Sequence, residues 1–307
     1  MAFLYALPGA MAEGLIWGLM AIGVYISYKI LDIADLTVDG SICTGACVCA
    51  MLIGAGCPVW LSMVVAFLAG ALAGTVSGLL HTILGSPSIL AGILTQLMLY
   101  TVNLLILGGK SLVTIDPRAN DLVVHMSNNM GSILSMVLVV AGTIIGLWLF
   151  FYTEIGLTIK STGDNPDMSR AQGVDVDFNK VLGLAIANGI VALAGSLLAQ
   201  YKGSANINDG RGAIVIALAA IFIGLSVSLK IKPNFVVSMI GVVGGGIVYY
   251  IVYNFVILMG LKTDYLKMLS AIIVALFLGV PYLKAKYFTK HKSLHPRDVQ
   301  TGGKGHA

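Results

Sequence analysis

Three acids, Asp32, Asp35 and Asp39, follow a long apolar run, and a second polar break, Asn206-Ile207-Asn208-Asp209-Gly210-Arg211, follows another. Ionisable groups beside or within apolar segments are costly to bury and ordinarily face a cavity, a solute path or a partner. Two uses are open for them. Asp39, with Asp209 and Arg211, can flank a path for a polar solute. Alternatively, Asp39 or Asp209 accepts backbone N–H groups at the start of the next helix, as capping acids do. The amides Gln96, Asn103, Asn188 and Gln200 lie inside apolar runs, where they can bind a solute or tie helices together. The candidate path residues are therefore Asp39, Gln96, Asn103, Asn188, Asp209 and Arg211. His81, near the end of a run, suits a cap or an interface better than a ligand role.

Other chemistries find no support. Cys43, Cys47, Cys49 and Cys57 have neither a C-x-x-C pair nor a matching His pair, so they read as small packing residues rather than a zinc site. Gly108-Gly109-Lys110-Ser111 mimics the end of a phosphate-binding loop, but Leu104 stands where the first glycine is required. No Ser/His/Asp or metal constellation lies within a span. No catalytic residue, metal or cofactor is assigned to this chain, and no nucleic-acid partner is expected.

These residues sit in a chain that only a bilayer can accommodate. Apolar residues make up 58% of 307 positions, charged residues only 10%, and the mean hydropathy is +0.93. Soluble domains carry about 25% charge. Apolar segments fall at 11–31, 41–54, 59–80, 88–108, 131–152, 181–200, 211–229, 235–258 and 266–283. A full crossing takes about 20 residues, so the expectation is an all-α, polytopic membrane protein of eight or nine transmembrane helices. The 41–54 segment is short for a crossing and suits a broken or tilted element. The first Lys or Arg is Lys29, at the far end of the first run, which reads as a retained span rather than a signal peptide.

The Lys and Arg bias sets the expected orientation. With the tail after Tyr282 in the cytoplasm, twelve of the 18 basic residues share that side. They include Lys29, Lys160, Arg170, Lys180, Lys230 and Lys232. Nine crossings then place the N-terminus outside.

A repeat is also legible. Asp39-Gly40 and Asp209-Gly210 each follow an apolar run, and Ile53-Gly54 and Ile223-Gly224 end at the same distance beyond them. Within a single transmembrane domain of residues 1–307, the reading is repeat one at about 11–108, a linking span at 131–152, a loop at 153–180, repeat two at about 181–283 and a basic tail at 284–307. An odd number of crossings separates the copies, so they are inverted, a transporter pattern. Gly70, Gly74 and Gly78, like Gly241 and Gly245, permit close helix approach.

The longest connector on the basic side, Thr153 to Lys180, holds a short helix at about Pro166 to Gln172. Asn165 would cap it and Gly173 would stop it. It reads equally as a docking surface for a soluble partner or as a solvated loop. Gly156-Leu157-Thr158-Ile159-Lys160-Ser161-Thr162-Gly163-Asp164-Asn165, Ala171-Gln172-Gly173-Val174 and Lys180-Val181-Leu182-Gly183-Leu184-Ala185 resemble the permeases of the branched-chain amino acid, ribose and nucleoside importer superfamily. Leu36 to Ser41, Gly92 to Thr95 and the Asn103-Leu104 region resemble the same group, closest to bacterial single-gene permeases assigned to tryptophan or tyrosine uptake. The likeness spans about residues 20 to 285.

The resemblance implies a type II, vitamin-B12-importer-like helical fold and a homodimer in the bacterial plasma (inner) membrane. It also implies two cytoplasmic ATP-binding-cassette subunits, which carry the ATP and Mg, and an extracytoplasmic solute-binding protein. Asp164, Asn165, Pro166, Asp167, Met168, Ser169, Arg170, Ala171, Gln172 and Gly173 would form the coupling helix that docks on the ATPase. The expected function is the membrane-spanning permease of an importer for a small polar solute, an amino acid and preferably an aromatic one. The rival is a secondary transporter in which Asp39 or Asp209 couples an ion gradient.

Overall fold

The computed structural model describes residues 2–116, 122–125, 129–228 and 234–258, with 268, 271, 272, 275 and 279. The elements run α1 (Ala2–Tyr25), α2 (Val38–Gly54), α3 (Val59–Thr82), α4 (Ser88–Ile106), β1 (Leu112–Thr114), α5 (Asn129–Phe151), α6 (Glu154–Asp164), α7 (Pro166–Ala171), α8 (Val176–Lys202), β2 (Ser204–Asn206), α9 (Ala213–Ser228) and α10 (Phe235–Leu258). Among the described residues six helices are long and apolar enough to cross a membrane: α1 with its π-helical extension Ile26–Ile30, α3, α4, α5, α8 and α10. α2 and α9 are shorter apolar helices. The expected 266–283 span and the basic tail lie almost wholly outside the described residues.

Two expectations are corrected. The 41–54 element is an unbroken helix that starts three residues earlier, at Val38. The 153–165 stretch, taken as loop, is the amphipathic helix α6, capped by Thr153, whose Oγ1 accepts from Gly156 N at 3.3 Å. The chain is mainly helical as expected, and the short β1 and β2 pair antiparallel, Leu112 with Asn206 and Thr114 with Ser204, tying the α4–α5 connector to the α8–α9 break. Three-residue strands are too short to leave an alternating apolar pattern.

α1 and α8 form the buried centre. α2 and α3 pack on α8, α9 and α10 pack on one another and on α1, and α4 and α5 lie outermost. Lipid tails are as apolar as the side chains, so close packing rather than water exclusion holds such helices together. Gly74 illustrates it: a Cβ there would strike the Leu184 carbonyl of α8, and one on Gly78 would meet Val181 Cα at 2.8 Å. The Gly70, Gly74, Gly78 row is thus a seam inside the chain. Gly245 serves likewise against Ala220 of α9.

Helix α8 begins where Asp175 Oδ1 accepts from Phe178 N at 3.0 Å, and ends where Gly203 takes φ +65°. That left-handed residue is the usual helix stop. It turns the chain directly into β2 and the polar break.

Candidate functional site

The two polar breaks meet. Gly210 lies against the main-chain carbonyl of Asp39, with no room for a Cβ, and its N–H donates to Cys43 Sγ at 3.0 Å. Asp39 then reaches over the start of α9. Its Oδ2 accepts from Gly212 N and its Oδ1 from Ile214 N, both at 2.9 Å. The first N–H groups of a helix have no partner within it, and a carboxylate there also complements the helix dipole. Capping is therefore a use Asp39 does make, for a helix 173 residues away rather than for its own.

Around this junction a pocket of about 350 Å³ opens between α2, α4 and the break, lined by Asp39, Gln96, Tyr100, Asn103, Ile207 and Arg211 among others. Gln96, Tyr100 and Asn103 stand on one face of α4 by their spacing. Gly40 lets that face close on α2, because a Cβ would meet Leu99 Cδ1 at 2.8 Å. The Arg211 guanidinium lies 5.8 Å from the Tyr100 ring centroid, a cation–π distance. Among the described residues Arg211 has no ion-pair partner. Asn103 is only 1% exposed, and among the described residues its Oδ1 has no hydrogen-bond partner. Arg211 also lines a second pocket of about 350 Å³ with Trp17, Lys202, Asp209, Tyr250 and Tyr253. There Lys202 Nζ sits 3.6 Å from Asp209 Oδ1, and Trp17 stacks on Tyr250 with centroids 5.8 Å apart.

Four expected path residues, Asp39, Gln96, Asn103 and Arg211, thus share one pocket, and Asp209 joins Arg211 in the other. Asn188 stands apart. Fully buried on α8, its Nδ2 donates to Asp35 Oδ2 at 2.6 Å and to Leu184 O at 3.0 Å, while its Oδ1 accepts from Ser41 Oγ at 2.6 Å. Asp35 Oδ1 accepts from Thr37 N at 2.9 Å, and Thr37 Oγ1 donates to Ser77 Oγ at 2.8 Å. Gln200 also ties segments together, its Oε1 accepting from Val123 N at 3.2 Å. Cys43, Cys47 and Cys49 are free thiols packed in α2, and among the described residues no His, Cys, Asp or Glu cluster could hold a metal.

The short helix of the 153–180 connector is α7. Asn165 Oδ1 accepts from Met168 N at 2.9 Å, Pro166 starts the helix, and Gly173 ends it at φ +83°. Asp164, Asn165, Pro166, Asp167, Met168 and Arg170 to Gly173 are exposed, and Ser169 is buried. Ser169 Oγ donates to Ser161 Oγ of α6 at 3.3 Å. α6 is fastened to α8 by Asn179 Nδ2, which donates to Thr162 Oγ1 at 3.1 Å. Gly163 seats it under the Ile30 carbonyl at the end of the first span.

The family of the branched-chain amino acid transport system permease component matches residues 8–280. This chain belongs to that permease family. The permease is 34% identical over 290 residues to the tyrosine transport system permease protein of Clostridioides difficile (strain R20291), covering 94% of this chain and 95% of that one. It is 30% identical over 272 residues to the uncharacterized protein RP368 of Rickettsia prowazekii (strain Madrid E), covering 88% and 95%. Over 210 residues it is 31% identical to the autoinducer 2 import system permease protein LsrC of Yersinia pestis (strain Pestoides F), covering 67% and 58%. No solved structure matches the chain. The permease is accordingly an integral membrane component of a transport system, and its family is not one of catalysts.

Residue types alone missed Glu13 and Tyr100 in the permease's polar interior, and one pairing between residues they had named. Glu13 lies in α1 within electrostatic reach of Lys202; an acid inside an apolar run is itself the signal that could have found it. Asp35 and Asn188 were each visible, but a separation of 153 positions hid their pairing. Tyr100 gave no signal, because an aromatic residue in a span ordinarily faces lipid or core.

Proposed function

We propose that the permease is the membrane-spanning subunit of an ATP-driven importer for a small polar solute, an amino acid, with an aromatic one favoured. Two copies in a type II helical arrangement flank the path, each built as a pair of inverted repeats, with the C-terminal tail in the cytoplasm. Two cytoplasmic ATPase subunits bind and hydrolyse ATP with Mg, and an external binding protein delivers the solute.

The observation that carries the reading is the α6–α7 element in a chain of this family. α7 offers a capped, exposed, polar surface suited to a soluble partner. Its fastening through Ser161 to α6, and from Thr162 to Asn179 of α8, gives a push on α7 a stiff route into the central helix. The seat of Gly163 under Ile30 extends that route to the first span. The amino acid preference rests on the named tyrosine permease relative. The contact of the Asp39 main chain with Gly210 brings the two Asp-Gly breaks together, as two related units packed on one another would.

The ion-coupled rival needs Asp39 or Asp209 available to bind an ion. Asp39 is occupied by two backbone N–H groups and Asp209 by Lys202, which favours the ATP-driven reading. The test is co-purification. Asn165→Pro, or deletion of 165–173, leaves the permease in the membrane but abolishes its recovery with a cytoplasmic ATPase subunit. Unchanged recovery, or uptake driven by an ion gradient without nucleotide, refutes the proposal.

A further inference from the structure

We propose that the pocket between α2, α4 and the α8–α9 break is a subsite for a zwitterionic α-amino acid, Arg211 taking its carboxylate and Asn103 Oδ1 its ammonium group. The proposal rests on reading the chain as an amino acid importer's permease, and it adds the residues that recognise the solute inside the membrane domain.

Two independent observations point to a ligand. First, Arg211 is a cation with no ion-pair partner among the described residues, its guanidinium set against the Tyr100 ring. The planar guanidinium fork matches a carboxylate in two parallel hydrogen bonds, strongest where water is scarce. Second, Asn103 lines the same pocket, and among the described residues its buried Oδ1 accepts no hydrogen bond. Buried acceptors are nearly always satisfied, and a ligand N–H group would satisfy this one.

The charge pattern narrows the class. The Asp39 carboxylate stands on the pocket wall, its two oxygens accepting from the first N–H groups of α9. A purely anionic solute meets repulsion from Asp39, and a purely cationic one meets it from Arg211. A zwitterion finds both signs complemented. Leu97, Tyr100 and Ile207 supply apolar wall for a side chain. A volume of about 350 Å³ suits one small solute, at the low end of ligand pockets, which run from about 300 to 1,000 Å³.

The test is equilibrium binding to the permease–ATPase complex in nanodiscs, without the external binding protein. Radiolabelled L-tyrosine, L-tryptophan and L-leucine are the probes, and tyramine, which lacks the carboxylate, is the competitor. ATP-driven uptake is followed in parallel with the binding protein present. Arg211→Ala and Asn103→Leu each weaken amino acid binding by about 10- to 100-fold, the usual loss of a charge-assisted hydrogen bond. Arg211→Lys recovers part of the loss, and Asn103→Asp retains binding. Tyramine competes at least about 10-fold more weakly than L-tyrosine on the unmodified complex, and Arg211→Ala erases that difference. The tyramine comparison holds even where a variant folds poorly.

Equal binding of L-tyrosine by unmodified complex and Arg211→Ala overturns the subsite. So does a phospholipid retained by the unmodified complex and lost from Arg211→Ala with amino acid binding intact, which would assign the cation to a headgroup phosphate. ATP-driven uptake of an amino acid that never binds the nanodisc complex overturns the subsite while the importer reading stands. Absence of any ATP-driven uptake overturns the importer reading itself.

Discussion

Removing the Asn188 side chain tests how the centre of the molecule is held. Asn188→Ala deletes a 2.6 Å donor to Asp35, the acceptor of Ser41 Oγ and a bond to Leu184 O, all excluded from solvent. Interhelical hydrogen bonds in membranes average about 0.6 kcal/mol, with a maximum near 1.7. The Asp35 contact belongs at or above that upper end, because a buried carboxylate has no water to replace the lost donor and bonds to charged groups contribute about 1.5–3 kcal/mol. With Ser41 also stranded, the total loss is about 3–4 kcal/mol. The cycle with Asp35→Asn removes the charge together with one of two acceptors, since the single amide oxygen can serve Asn188 Nδ2 or Thr37 N but not both. Asn188→Ala should destabilise the Asp35→Asn background by about 1.5 kcal/mol less than the unmodified protein. Unfolding in mixed micelles by SDS titration, followed through the fluorescence of the three tryptophans, gives all four corners. A coupling below about 0.5 kcal/mol, the scatter of independent sites, would show that the 2.6 Å contact contributes nothing beyond packing.

Other consequences follow from neighbouring contacts. Gly74→Leu drives a side chain into the Leu184 carbonyl and should cost at least about 1–3 kcal/mol; Gly142→Leu, on the outer α5 with nothing within 4 Å, should stay within about 0.5 kcal/mol. Thermal unfolding monitored by size-exclusion chromatography separates the two. Asp39→Ala frees the N–H groups of Gly212 and Ile214. Lost caps cost about 1–2 kcal/mol, so amide exchange over 212–216 should accelerate about 5- to 30-fold, against unchanged exchange in α3. Maleimide should label the half-buried Cys57 quickly in the folded permease and reach Cys43, Cys47 and Cys49 only after SDS denaturation; rapid labelling of all four would contradict the packing of α2.

What the sequence disclosed and what it hid divide along a physical line. Long apolar runs set α3, α4, α5, α8 and α10 to within a few residues, because a bilayer leaves a polar backbone no other economical conformation. Caps disclosed α7, since Asn165, Pro166 and Gly173 act on the next few residues alone. α6 stayed hidden because its apolar residues cover one narrow face, with Ile159 buried and Ile155 and Leu157 exposed, and its Gly156 and Gly163 read as loop. The pocket was half legible. Polar residue types in apolar runs singled out Asp39, Gln96, Asn103 and Arg211, yet the same rule enrolled Asn188, which closes a network with Asp35 instead. Residue type reports that a polar group needs a partner; only the fold decides whether the partner is another side chain or an open pocket.

That distinction explains where the pocket lies. At about 1.5 Å per residue, the 17 residues of α2 and 16 of α9 span roughly 24–26 Å, less than the approximately 30 Å of a hydrocarbon core. Each therefore starts short of a full crossing, and its first N–H groups need partners where water is scarce. Asp39 supplies them for α9, and Cys43 Sγ takes the Gly210 N–H beside it. Irregular backbone at such depth is tolerated only when protein covers it or it lines a cavity, and here both hold on opposite sides of one junction. Lengthening α9 by a turn would remove the need for the Asp39 cap and, with it, the break that brings Arg211 to the pocket.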